Sequence, residues 1–234
     1  MVPRRRSARR FRIAFAVVAL VHLGAQLGGG GVVADATQVL LMPMLAGVLW
    51  CEAPSPRCRL VTLVLVALGL SWLGDSAPKL VEGDASFLVM VGFFLLAQVA
   101  YIAAFLPYRA GSVLHVHRGR LVAYLACVVV LVAVCAAGAA AMLVPVLLYG
   151  GCLGAMAVLS TGVNRLTALG GALFLVSDGL IALDAFVDGF GLPLQGFWVM
   201  ATYLAAQAAL VAGVLLEQTG SPSTPTQTDA VRAR

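Results

Sequence analysis

Long apolar runs alternate with short polar breaks along nearly the whole chain. Eight runs stand out, over residues 12–27, 37–51, 59–77, 86–106, 119–135, 138–159, 165–186 and 196–216. A helix that crosses a bilayer needs roughly 20 mostly apolar residues, so the pattern predicts an all-α, polytopic membrane protein with eight transmembrane helices. The first two runs are short, and only Ala136-Ala137 separates the fifth from the sixth. On this reading residues 1–11 form a basic N-terminal segment, residues 12–217 the transmembrane domain and residues 218–234 a tail. The tail, QTGSPSTPTQTDAVRAR, is polar and rich in Pro, Ser and Thr, cannot bury a core, and is expected to be disordered.

Composition strengthens the assignment. Hydrophobic residues make up 62% of the 234 and charged residues only 11%, against roughly 45 to 50% apolar in a soluble domain. Charge then gives an orientation, because short cytoplasmic loops collect Lys and Arg. Arg4, Arg5, Arg6, Arg9, Arg10 and Arg12 precede the first run, and Arg57 and Arg59 lie between the second and third. Arg109, Arg118 and Arg120 lie between the fourth and fifth, Arg165 opens the seventh, and Arg232 and Arg234 end the tail. With eight spans all of these fall on one side, and Lys79 alone falls on the other. Both termini are therefore expected in the cytoplasm. The opposite loops carry Asp35, Glu82, Asp84 and Asp188. The net charge of +5 follows from this bias, and no basic groove with interleaved aromatics points to a nucleic-acid partner.

The start of the chain also has the charged and apolar regions of a signal peptide, with Ala34-Asp35-Ala36 resembling a cleavage site and Arg9-Arg10-Phe11 a twin-arginine segment. An uncleaved first helix is the expectation, which keeps His22 and Gln26 in the bundle. The five cysteines divide between a cytoplasmic loop (Cys51, Cys58) and helices (Cys127, Cys135, Cys152), so no disulfide framework is expected. No His or Cys cluster has zinc spacing, and His115 and His117 read as solvated members of a basic loop. A GxSxG elbow, a phosphate loop and a dinucleotide fingerprint are all missing, which excludes common serine-hydrolase and nucleotide-driven chemistries.

Two carboxylates break the apolar runs. Asp75 closes the third, in Ser71-Trp72-Leu73-Gly74-Asp75, and Asp178 sits inside the seventh, in GALFLVSDGLIALDAF. Ionisable groups in hydrocarbon are costly and mark function by default. Asp75 lies 16 residues beyond Arg59 and Asp178 13 beyond Arg165, roughly 24 and 20 Å along helices that both run outward. Both are thus expected at similar depth in the outer half of the membrane, with Gln98 in the fourth helix roughly 18 Å below its outer end and Tyr149 and His22 near mid-membrane. Blander roles remain open. Asp75 can mark a helix end beside Lys79, Asp178 can serve a packing hydrogen bond, Asp184 reads as interfacial, and Gln98, Gln26, Gln207, Tyr101 and Tyr149 can be ordinary interhelical contacts. A weak internal echo, offset by 103 residues, lays Asp75 on Asp178. It suggests a four-plus-four duplication about an axis along the membrane normal.

Several segments together carry a family resemblance. The Gly74-Asp75 pair, GFFLLAQVAYIAAF, the spacing from Pro145 to Tyr149 and above all GALFLVSDGLIALDAF resemble the YhhN-like lysoplasmalogenases, eight-helix integral membrane hydrolases, from about Thr37 to Phe186. TQVLLMPMLAG is similar to the family's second-helix segment, with Gln38 and Val39 where a Lys-Pro pair is usual. Gln98 stands where a His is usual.

The resemblance implies hydrolysis of the vinyl-ether bond of a lysoplasmalogen, giving a fatty aldehyde and a glycerophospho-alcohol. Protonation of the distal alkene carbon makes an oxocarbenium ion, water adds, and the hemiacetal collapses. A neutral and an ionised carboxyl suit that sequence, as in glycosidases. Asp75 and Asp178 are the expected catalytic pair, with Ser177, Gln98, Tyr101 and Tyr149 as candidates to orient water or hold the lipid head. No metal or organic cofactor is required. The expected partner is a lysophospholipid entering sideways from the bilayer of the cell membrane. A proton-coupled transporter or a lipid-binding membrane protein without bond cleavage is the alternative, and broken helices and a cavity open to both sides are what it would need.

Overall fold

The computed structural model describes residues 2–220, which fold into eight long helices with no strand among them. They are α1 (Val2–Leu27), α2 (Val32–Glu52), α3 (Arg59–Ser76), α4 (Asp84–Phe105), α5 (Arg118–Ala139), α6 (Leu143–Ser160), α7 (Arg165–Phe186) and α8 (Gln195–Gly220). Each contains a segment long and apolar enough to cross a membrane, and the chain is an integral membrane protein.

The breaks follow local chemistry. Gly29, Gly30 and Gly31 all adopt positive φ between α1 and α2, a conformation that costs glycine nothing. Asn164 caps α7, accepting from the Leu166 and Thr167 amides, while the Thr167 hydroxyl accepts from the Asn164 amide. The Asn164 side-chain amide also donates to the Gly213 carbonyl at 2.8 Å, tying the start of α7 to the end of α8.

Four boundaries differ from the sequence pattern, one of them the start of α2, which lies at Val32 rather than residue 37. The helix of α1 begins at Val2 rather than residue 12, because arginine is a good helix former and hydropathy marks only the buried part of a helix. The break between α5 and α6 falls at Ala140, with φ of 39°, rather than at Ala136-Ala137, since alanine favours helix most of all. Just before it Gly138 abuts the Phe186 carbonyl so closely that a Cβ would lie 2.0 Å from it, which packs the end of α5 on the end of α7. Helix α8 extends through Gly220, so Gln218 to Gly220 are helical, and the rest of the expected tail lies outside the described residues.

Consecutive helices pack against each other, as short connections between antiparallel helices require, except that α4 and α5, joined through residues 106–117, do not touch. Helix α8 packs against α1, α2, α3 and α7, and α4 bridges α3 and α6. Helix α5 lies on α6 and α7 at the periphery, where Val122, Val129 and Val130 are exposed, as side chains facing lipid are. The interior is filled by Leu41, Leu49, Val61, Leu68, Phe105 and Leu210 together with an aromatic cluster. Phe174 is its centre, meeting Tyr203 edge-on at 5.7 Å and Phe94 and Tyr101 at 6.4 Å between ring centroids. All five cysteines are free thiols.

Candidate active site

Asp75 at the end of α3 and Asp178 in α7 are both buried, and both line one cavity of about 460 Å³. Depth counted along the sequence thus leads to the same place in space. Four residues beyond Asp75, Lys79 stands at the cavity's rim with the exposed Asp184.

Each carboxylate is held by a tyrosine from another helix. Tyr203 of α8 donates to Oδ2 of Asp75 at 2.9 Å, and Gln38 of α2 donates to Oδ1 at 3.2 Å. Asp75 therefore joins α2, α3 and α8 through one side chain. Tyr149 of α6 donates to Oδ2 of Asp178 at 2.5 Å. The two tyrosines occupy helices that do not correspond under the 103-residue offset.

A second, apolar cavity meets the first at Asp178. It lies between α4, α5, α6 and α7, lined by side chains such as Phe87, Val91, Leu131, Val146 and Ile181, and among the described residues Asp178 is its only charged one. Met90, Phe94 and Ile181 face both cavities. Leu88, exposed on the outside of the bundle, belongs to the apolar lining, so this cavity reaches the lipid-facing surface. A carboxyl thus stands where a polar chamber and an apolar one join.

Gly74 sets the shape of this junction. A Cβ there would lie 2.7 Å from the ring of Phe94, so the glycine lets the aromatic ring close on α3 beside Asp75. The Gly-Asp pair is a steric requirement followed by a chemical group.

The other sequence candidates divide. Ser177 lines the polar cavity, but its hydroxyl donates to the Val199 carbonyl at 3.1 Å and serves to join α7 to α8. Gln98 is fully buried beside the Tyr149 phenol, and neither of its amide atoms sits in hydrogen-bonding position. Tyr101 lines neither cavity; it donates to Gln207 at 2.5 Å, and Gln207 donates in turn to Ser71 at 3.1 Å, one helical turn below Asp75. His22 lies at the α1–α2 end rather than at mid-membrane. Its Nδ1 faces the Ala34 carbonyl at 3.1 Å and the Thr37 hydroxyl at 2.9 Å. Among the described residues no cluster of His, Cys, Asp and Glu is placed to hold a metal ion.

Tyr203 escaped sequence reading, although its position carried a signal. It lies eight residues into α8, roughly 12 Å from the helix start. Asp178 lies the same number of residues from the end of α7. Counting depth on every helix, not only on those with carboxylates, brings the two to one level.

The YhhN family profile matches residues 33–214. Lysoplasmalogenase TMEM86B of Rattus norvegicus is 31% identical over 179 residues, covering 76% of this chain and 72% of the rat protein. No solved structure matches the chain.

Proposed function

Since the chain belongs to the YhhN family, we propose that it hydrolyses the vinyl-ether bond of lysoplasmalogens, with Asp75 and Asp178 as the acid/base pair. The observation that carries this reading is the position of Asp178 where the polar and apolar cavities meet. A single-chain lipid has the same division. Its hydrocarbon tail fits among Phe87, Val91 and Leu131, its head fits the polar chamber, and the vinyl ether between them falls at the carboxyl.

The proton donor must reach the distal alkene carbon, which belongs to the hydrocarbon side. Asp178 faces that side and accepts one hydrogen bond, from Tyr149. Asp75 accepts two, from Tyr203 and Gln38, an arrangement suited to an ionised carboxylate. In the first step the Asp178 carboxyl gives its proton to the distal alkene carbon, and the alkene electron pair forms the new C–H bond. The ether oxygen shares the resulting positive charge, which the paired carboxylates stabilise. A water then loses a proton to a carboxylate as it bonds to the cationic carbon. In the hemiacetal, the C–O bond to glycerol breaks as that oxygen takes a proton and the hydroxyl gives one up. Aldehyde and glycerophospho-alcohol leave, and the pair recovers its starting protonation.

The charge pattern supports cytoplasmic termini, which puts this site in the outer half of the cell membrane. The transporter alternative needs helices broken at the site; α7 runs unbroken through Asp178, and α3 ends at Ser76, one residue past Asp75, where a 3₁₀ turn continues it. Purified protein is expected to release aldehyde from a lysoplasmalogen and none from its saturated ether analogue. Release from neither lipid would remove the hydrolase reading.

A further inference from the structure

Lys79 is the one basic side chain in the lining of either cavity among the described residues. It sits on the 3₁₀ turn Ala77–Leu80 that continues α3, four residues past Asp75. That spacing sets it roughly 6 Å further along the helix axis than the carboxylate, a glycerol backbone's length from the reacting bond. Its side chain is 30% exposed and its ammonium pairs with Asp35, whose side chain is 63% exposed, in the first turn of α2.

The remaining charged groups of the polar cavity are Asp75, Asp178 and Asp184, all acidic. Lys79 is the one attractive charge that an anion entering there meets. The partner Lys79 holds at rest is a surface carboxylate, and such exposed pairs are weak and exchange readily. A phosphodiester can take the place of that carboxylate, which is 63% exposed and returns to solvent. The lysine's compact ammonium suits a phosphate approached from one side.

We propose that Lys79 is the phosphate-binding residue of the lipid site, with Asp35 as the resting counter-ion that the phosphate displaces. This inference rests on the lysoplasmalogen reading and adds to it the residue that selects a phosphorylated head over a neutral glycerol ether. The same contact sets the depth at which the lipid stops, so that its ether lies level with Asp75 and Asp178.

Binding tests it without requiring turnover. Wild type, Lys79→Gln, Lys79→Arg and Asp35→Asn proteins in a phosphate-free, non-ionic detergent are titrated with two uncleavable lipids, a saturated 1-O-alkyl-glycerophosphoethanolamine and the matching 1-O-alkylglycerol. In Lys79→Gln the affinity for the phospholipid is expected to fall at least tenfold relative to the glycerol ether, and Lys79→Arg to recover most of it. Asp35→Asn is expected to bind the phospholipid as tightly as wild type or more so. A Lys79 that served only as half of a structural ion pair would make Lys79→Gln and Asp35→Asn alike, and that result overturns the proposal. An unchanged ratio between the two lipids in Lys79→Gln overturns it as well. Inorganic phosphate alone is expected to bind weakly; if it binds with the same Lys79 dependence while the lipid shows none, the lipid assignment falls. Lysine-dependent phospholipid binding in a protein that releases no aldehyde would remove the hydrolase reading and leave the phosphate site standing. Aldehyde release with no lysine dependence would do the reverse.

Discussion

The Tyr203 hydroxyl donates a 2.9 Å hydrogen bond to Oδ2 of Asp75 across 128 residues of chain. It binds the last helix of the bundle to the carboxylate that ends the third. The same ring packs edge-on against Phe94 and Phe174, so the donor is fixed by aromatic contacts rather than by hydrogen bonding alone. A phenol held this way can orient a carboxylate toward a reacting centre.

Removal of that hydroxyl separates positioning from packing. Tyr203→Phe is expected to lower kcat by about tenfold, an increase of roughly 1.4 kcal/mol in the barrier, with KM little changed. Tyr101→Phe removes a hydrogen bond to Gln207 that lies outside both cavities. It should cost about 0.6 kcal/mol of stability, the average for an interhelical hydrogen bond in a membrane, and leave kcat near the wild-type value. Steady-state kinetics and thermal melts of the two variants side by side check both statements. Equal losses of kcat would mean that Asp75 draws nothing particular from Tyr203.

Gly74 is expected to tolerate no side chain. Gly74→Ala drives a methyl into the Phe94 ring, and overpacking of this kind costs about 1–3 kcal/mol. Because Phe94 lines both cavities, activity should fall along with the melting temperature. The double variant Gly74→Ala, Phe94→Leu is expected to recover most of the melting temperature, since the smaller side chain leaves room for the methyl. A double variant no more stable than Gly74→Ala alone would contradict this account of the Gly-Asp pair.

Much of this was legible in the sequence, for identifiable reasons. Eight helices follow from hydropathy because lipid forces every spanning backbone to satisfy itself internally. The shared level of Asp75 and Asp178 follows from counting residues along helices of fixed rise. What surrounds the aspartates was less legible. Tyr203 and Gln38 donate to Asp75 from α8 and α2, and which faces of those helices turn inward depends on packing that a uniformly apolar helix does not record. Gln38 was visible as a departure from the usual Lys-Pro pair, yet its hydrogen bond to Asp75 was not. Ser177 shows the opposite case, since a serine beside an aspartate suggests chemistry and its hydroxyl instead joins two helices. The break at Ala140 escaped because nothing but alanine and glycine surrounds it, and the close approach of Gly138 to the Phe186 carbonyl decides where the chain turns.

The central claim is that two buried carboxyls lining one cavity cleave a vinyl ether. The most direct measurement is aldehyde release from a lysoplasmalogen by purified wild type, Asp75→Asn and Asp178→Asn, with each variant first shown to be folded by its melting curve in detergent. General acid/base groups contribute about 10²–10⁴-fold to rate, so each variant is predicted to lose at least a hundredfold of kcat. Wild-type rates in either folded variant would contradict the pair.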